Sequence, residues 1–369
     1  SIMILNQEQI MLRETVGQFF EDQSPVSRLR ALQQRPVEES YDREFWSQMV
    51  GLGLTGITVP EVFEGLQFGW MGLGAVSQEA GRRLVASPLL SSVALAQNVL
   101  LNCASKRQIE SYLPRLLSGE ITASVALDEG RFFDPGAVLV TEQNGQISGS
   151  KARVLDASMS SLIFCVARRE TGGLGVAVVA TDDECVSITP ARFMDLHGCA
   201  AITFEGVPAD RTEWLEGVDV ASGLEQAIDQ ATIILAAEMM GSARETLERT
   251  VSYLNEREQF DVKLATFQAL QHRCARLYCE LELAESAVAA ALMALDDAAS
   301  SVSAQASAAK TLANDVFSLV TSEAVQLHGG MGVTEEMDIG LFLKRSRVCN
   351  QLLGSSSYHR DRYARLLGF

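Results

Sequence analysis

The sequence predicts a mainly α protein with a central β domain, and three observations carry that prediction. Apolar residues recur at helical spacing through roughly the first 120 residues. From Ile121, short runs rich in Val, Ile and Thr alternate with Gly-rich or polar turns. Near Gln226 long helical periodicity returns and persists through the last third. The expected domains are 1–120, helical; 121–222, β; and 223–369, helical.

The first segment, Ile4–Glu21, places Ile10, Leu12, Val16, Phe19 and Phe20 on one stripe, with Asn6 as N-cap. A second amphipathic segment surrounds Phe45–Leu52, and the turn-rich GLTGITVPEVFEGLQFG interrupts the helices. They resume over Trp70–Leu84, Pro88–Leu101 and Gln108–Leu117. The middle third offers ITASVAL, AVLVTEQNGQISGSKARVL, SSLIFCVARR, LGVAVVATD, CVSITPARF and AAITFEGVPADR, which read as strands of a small barrel or sandwich. Asn144-Gly145 reads as a tight hairpin turn. Beyond it, Gln226–Leu254, Thr266–Asp296, Ala304–Leu327 and a segment from Met337 read as helices. The Ala- and Ser-rich stretch between the second and third marks a corner, because Ala favours helix and apolar spacing resumes at once. The last helix leads to the tail LLGSSSYHRDRYARLLG.

Thirty basic against 47 acidic residues give a net charge of −17. Nucleic acid requires a basic face, so that charge argues against it, and more weakly against anionic membranes. Seven cysteines are scattered without a CxxC pair, which points to free thiols in a reducing compartment. No basic-plus-apolar signal peptide opens the sequence and no apolar run reaches spanning length. A cytoplasmic protein is the expectation. The four histidines lack metal spacing, and no GxSxG elbow or Walker-type loop occurs.

Chemistry concentrates in Tyr253–His272. Arg257, Gln259, Gln268, Gln271 and His272 share this stretch with Phe260, Leu264, Phe267 and Leu270. EREQF could end one helix and DVKLATFQALQH begin the next. A planar bidentate cation and amides beside aromatic surface suit a pyrophosphate-bearing, ring-containing ligand. A solvated helix end followed by an amphipathic core helix explains the same residues.

Arg257-Glu258-Gln259-Phe260, followed by Leu264, Phe267-Gln268 and Gln271-His272, resembles the flavin-binding segment of the acyl-CoA dehydrogenases. Gln326–Gly332, reading QLHGGMG, is similar to that family's second such segment, and VPEVFEGLQFG to a loop of its N-terminal domain. The resemblance runs along the whole chain. It implies an α domain, a β domain and a C-terminal four-helix bundle, with FAD as cofactor and an acyl-CoA thioester as substrate. It also implies that Arg257, Phe260, Leu264 and Gln268 reach an FAD held mainly by a neighbouring subunit. Gln326, Gly329 and Gly330 would contact the adenosine side of the same FAD. Where the family has glycine after the phenylalanine, this chain has Asp261.

Two segments depart from the family. Its Thr-Glu-Pro-x-x-Gly-Ser-Asp, which holds the flavin ring, is represented by Leu127-Asp128-Glu129-Gly130-Arg131, where only the glutamate survives. Its Lys-Trp-Ile-Thr is represented by Lys151-Ala152-Arg153-Val154-Leu155. This β domain is therefore expected to hold an isoalloxazine ring poorly, if at all. Dehydrogenation between Cα and Cβ needs a carboxylate to take the α-proton while the flavin accepts hydride. The family's two positions for that glutamate fall on Leu353 and Ala231. Glu238, two turns beyond Ala231, is the best substitute base, against the reading of an exposed or ion-paired helix carboxylate. Asp229 reads as a solvated charge near a helix N-terminus. His359, beside Arg360 after the tail loop, reads as structural rather than as a general base, and His272 and His328 as structural or ligand-edge residues.

The asymmetry resembles the partner subunit of heteromeric acyl-CoA dehydrogenases of bacterial steroid catabolism, as does the tail Leu352-Leu353-Gly354…His359-Arg360. The leading expectation is one subunit of an FAD-dependent heterotetramer whose second acyl-CoA dehydrogenase-like chain supplies base and ring pocket. The alternatives are a homo-oligomeric enzyme using Glu238 and a non-catalytic scaffold that binds acyl-CoA or protein. The resemblance implies an electron-transfer flavoprotein or oxygen as the electron acceptor.

Overall fold

The computed structural model describes residues 5–369. Eleven α-helices and ten strands follow one another in the expected helical, β, helical order. The first helices are α1 (Gln7–Gln23), α2 (Val26–Ala31), α3 (Arg43–Gly51) and α4 (Gly69–Arg82). A π-helical segment, Leu89–Ala96, runs into α5 (Gln97–Cys103), and α6 (Lys106–Leu117) completes the region. The strands are β1 (Ala123–Ala126), β2 (Thr141–Gln143), β3 (Gln146–Leu155), β4 (Leu162–Arg168), β5 (Leu174–Ala180), β6 (Val186–Arg192), β7 (Gly198–Pro208) and β8 (Glu213–Trp214). After them come α7 (Val220–Glu256), the two-residue strands β9 (Glu258–Gln259) and β10 (Val262–Lys263), then α8 (Gln268–Asp296), α9 (Val302–His328), α10 (Ile339–Gln351) and α11 (Ser356–Leu366).

Local chemistry explains the boundaries. Asn6 caps α1 in a reciprocal capping box with Gln9. Asp42 caps α3 by accepting from Glu44 and Phe45 N–H. The β2–β3 hairpin turns at Asn144 and Gly145, with φ of 51° and 70°, the left-handed pair that a two-residue turn of this kind requires. Strand order in the sheet is β6-β7-β3-β2-β4-β5-β8, and β1 pairs in parallel with β4. The inward residues of this sheet, among them Ile147, Val154, Ile163, Ala177, Ile202 and Phe204, form one fully buried apolar cluster.

The chain forms two compact units that do not follow the thirds of the sequence. One gathers Leu29–Gln67 and Ala86–Ala231, hence the sheet with α3, α5, α6, the π-helical segment and the first turns of α7. The other gathers the chain up to Arg28, Phe68–Val85 and Thr232–Phe369. In this second unit α1 and α4 join the C-terminal helices. Helix α4 lies so close to α7 that a Cβ on Gly241 would sit 1.9 Å from the Gln78 carbonyl oxygen, and one on Gly81 2.0 Å from that of Glu238. No residue at Phe68 caps α4. Instead the Asp296 carboxylate, at the end of α8, accepts from the N–H groups of Trp70 at 2.6 Å and Met71 at 3.1 Å. No helix among the described residues is long and apolar enough to cross a membrane.

Candidate functional site

Helix α7 stops at Glu256, and the next residues form a ribbon where the sequence suggests a direct helix-to-helix junction. Val262 pairs with Gln259 and Lys263 with Glu258. Phe260 and Asp261 at the tip have φ of 57° and 63°. Aspartate tolerates that left-handed geometry better than most residues, so the departure from glycine leaves the turn intact. Phe260 is 85% exposed and meets Phe267 edge to face, ring centroids 6.3 Å apart. Leu264 donates its N–H to the Arg257 carbonyl at 2.9 Å and opens a 3-10 turn, and Gln268 begins α8. The side chains of Arg257, Gln268 and Gln326 are all exposed.

The second segment lies against the first. The Tyr253 ring stacks on His328 with centroids 4.3 Å apart, and its hydroxyl donates to the His328 carbonyl at 3.3 Å. His328 is buried, and its Nδ1 bonds the Ala324 carbonyl at 2.8 Å, which fixes the ring. Burial pushes its pKa down. Gly329 has φ 59° and ψ −140°, a conformation open essentially to glycine alone. No atom lies within 4 Å of a Cβ placed on Gly329 or on Gly330. Backbone there is open to a ligand, as approach to a pyrophosphate or ribose requires.

The two family positions for the base hold apolar residues in buried settings. Ala231 is fully buried in α7. Leu353 is 6% exposed with φ 54°, and its carbonyl accepts from His359 Nε2 at 2.8 Å. The neighbouring Gly354 carbonyl accepts from Lys310 Nζ at 3.0 Å. Glu238 forms an ion pair with Arg345, 2.6 Å from Nη2 to Oε1, both side chains largely buried. Asp229 is 2% exposed, which corrects its reading as a solvated charge: α7 begins at Val220, so residue 229 lies well inside the helix. His359 is a structural group, its Nδ1 on Ser307 Oγ at 3.1 Å. Burial, with the Lys310 charge beside it, pushes it down to about 3.

The β domain consumes its own polar groups. Lys151 Nζ reaches Glu129 Oε1 at 2.6 Å, with side chains 0% and 5% exposed. Glu129 also accepts from the N–H groups of Leu139 at 2.5 Å and Val140 at 3.1 Å. Arg153, with φ 50°, pairs with Asp128 at 3.4 Å and donates to the Gly130 carbonyl at 2.7 Å. Burial pushes the Asp128 carboxyl up against the pull of Arg153. Sequence reasoning names these segments but cannot see that their charges pair with each other.

The family model for the acyl-CoA dehydrogenase N-terminal domain matches residues 6–120, and that for the C-terminal domain matches residues 217–368. The chain is a member of the acyl-CoA dehydrogenase family. Acyl-CoA dehydrogenase IpdE2 of Mycolicibacterium smegmatis is 30% identical over 352 residues, covering 95% of this chain and 96% of the relative. The structure of a variant of the Tcur3481-Tcur3483 steroid ACAD matches with a TM-score of 0.88 at 29% identity, covering 98% of each chain. The ChsE4-ChsE5 complex of Mycobacterium tuberculosis matches with a TM-score of 0.86 at 24% identity, covering 98% of this chain and 97% of that one. Acyl-CoA dehydrogenases are FAD-dependent oxidoreductases. The residues here fit one half of that cofactor: the open glycines and the exposed Arg257 suit pyrophosphate and adenosine. They do not fit the ring, since the polar groups of the segments that would cradle it are engaged with one another.

Proposed function

We propose that this chain is the subunit of a heteromeric, cytoplasmic acyl-CoA dehydrogenase that lends FAD contacts to its neighbour and carries no base. One contrast carries the reading. Arg257, Phe260, Gln268, Gln326, Gly329 and Gly330 are all exposed, whereas Glu129, Lys151, Asp128 and Arg153 satisfy one another. The chemistry that FAD supplies when bound is acceptance of hydride from the Cβ of an acyl-CoA thioester. This chain's residues bind and orient. The Arg257 guanidinium would hold pyrophosphate oxygens, Phe260 and Leu264 would offer apolar surface, and Gln268 and Gln326 would offer amide donors. The glycine turn lets the dinucleotide approach the backbone.

The α-proton is then taken by a carboxylate of the partner chain. Ala231 and Leu353 cannot accept a proton, and the Glu238 carboxylate is already bonded to Arg345. The solved steroid ACAD described above is named for two components, which supports a two-component assembly, taken here as a heterotetramer, and a bulky polycyclic acyl group. Seven free cysteines support a reducing compartment.

The deciding measurement is the visible spectrum of the purified chain, alone and after co-expression with a family member that has the intact glutamate and Thr-Glu-Pro segments. The expected result is no flavin band alone, and a stoichiometric band in the complex that bleaches on anaerobic addition of the acyl-CoA. A chain that binds FAD alone and bleaches would overturn the proposal.

A further inference from the structure

Helix α9 ends at His328, and Asp338 stands just before α10. Of residues 329–337 between them, Gly332 alone is buried. This loop carries Gly329 and Gly330, the backbone proposed to meet the dinucleotide, yet it has almost no core of its own. A segment so exposed takes its geometry from whatever fixes its ends.

One face of α7 fixes both. At the first end the Tyr253 ring stacks on His328, centroids 4.3 Å apart, and its hydroxyl donates to the His328 carbonyl. At the second end Arg249 Nη1 reaches Asp338 Oδ2 at 2.9 Å, and its guanidinium lies over the Phe342 ring, 5.5 Å from the centroid. Glu245 steadies Arg249 from the preceding turn, Nε to Oε1 at 2.8 Å. Between the ends, a Cβ on Gly332 would sit 2.6 Å from the Val325 carbonyl oxygen and 3.0 Å from the Cβ of His328, so the loop folds back onto the last turn of α9. Residues 249, 253 and 257 follow at steps of four and share one helix face. The Arg257 N–H donates to the Tyr253 carbonyl at 2.8 Å. Tyr253 therefore holds both cofactor segments, Arg257 through its main chain and His328 through its ring.

We infer that Arg249 and Tyr253 are positioning residues, which clamp the 329–337 loop at its two ends and hold its open glycine backbone in register with Arg257. The clamp rests on the FAD contacts proposed for Arg257, Gly329 and Gly330, and it acts without either side chain touching the cofactor. At the first end the stacked ring dominates, because a 3.3 Å hydroxyl bond is long and adds less. At the second, Arg249 and Asp338 are 34% and 28% exposed, so their pair fixes direction more than it adds stability.

The loop contains Glu335 and Glu336, so a glutamate-specific protease reads its order in the free chain without any cofactor. Cleavage after Glu38 and Glu39, in the loop before α3, serves as the internal control. FAD release from the co-expressed heteromer reads the use of that order. Tyr253→Leu and Arg249→Met, both at part-exposed positions, should each speed cleavage after Glu335 and Glu336 about tenfold and leave the control sites unchanged. Each should also speed FAD release about tenfold with Arg257 intact. Tyr253→Phe, which keeps the ring, should restore both readouts toward wild type. Unchanged cleavage in Tyr253→Leu, or faster cleavage with unchanged FAD release, overturns the clamp alone. A wild-type heteromer that holds no flavin overturns the proposed cofactor contacts and the clamp with them.

Discussion

Nη2 and Nε of Arg345 both reach the same carboxylate oxygen of Glu238, at 2.6 and 3.1 Å. The two side chains are 5% and 15% exposed, so each charge depends on the other. Glu238→Ala should therefore lower stability by about 3–5 kcal/mol, the cost of leaving a buried charge alone, read by denaturant unfolding. Glu238→Gln in the assembled heteromer should retain turnover once folded protein is compared at equal concentration. Complete loss of turnover with flavin still bound would place the base on this chain.

In the β domain the Lys151–Glu129 pair is buried more deeply still. Lys151→Met should destabilise by about 3 kcal/mol, because it strands a carboxylate that then keeps only the Leu139 and Val140 N–H groups. It should not create flavin binding in the isolated chain. An isolated Lys151→Met chain that takes up FAD would show that the pair alone blocks the ring site.

Arg257 bonds no acidic group among the described residues, so its removal should be mild for the fold and severe for the cofactor. Arg257→Ala should leave the melting temperature of the free chain within about 1 °C, a surface change of a few tenths of a kcal/mol. It should weaken FAD retention by the heteromer about tenfold or more, as loss of charge-assisted bonds worth roughly 1.5–3 kcal/mol requires. Flavin fluorescence released on dilution measures this directly.

Two buried basic groups should each make stability rise with pH, in two different windows. His359 titrates at about 3 in the fold against an ordinary 6.5. Between those values the unfolded chain binds a proton that the folded chain refuses, so stability falls as pH drops below 6.5. Lys310 is fully buried on Asn314 Oδ1 and the Cys349 and Gly354 carbonyls, and burial lowers it to about 7 from 10.5. Its desolvation penalty is complete below pH 7 and is relieved as pH rises toward 10, so stability climbs there. His359→Gln should flatten the acid limb and Lys310→Met the alkaline one in melts run from pH 4 to 10.

Much of this fold is legible in the sequence where a local rule applies. The Asn6 cap, the Asn144-Gly145 turn and the six strand runs follow from residue type and spacing alone. Helix α11 escapes such rules because its buried positions are His359 and Arg362, so hydrophobic periodicity gives no signal. The ribbon at Phe260-Asp261 escapes them because neither residue is the glycine or asparagine that announces a left-handed turn. The Glu238–Arg345 pair spans 107 residues, and no single-sequence pattern reports a contact that distant.

The Asp296 carboxylate that caps α4 also sets an order of events during synthesis. Helices α1 and α4 emerge early and pack on each other, yet the helices that cover α4, and the cap itself, come from residues after 231. A nascent chain can complete the sheet unit first, because its last residue is Ala231. Until the ribosome has passed residue 296, the face of α4 that meets α7 and α8 has no bundle to enter. Termination before residue 296 would thus expose apolar surface at the opposite end of the polypeptide, where chaperones and proteases meet it first.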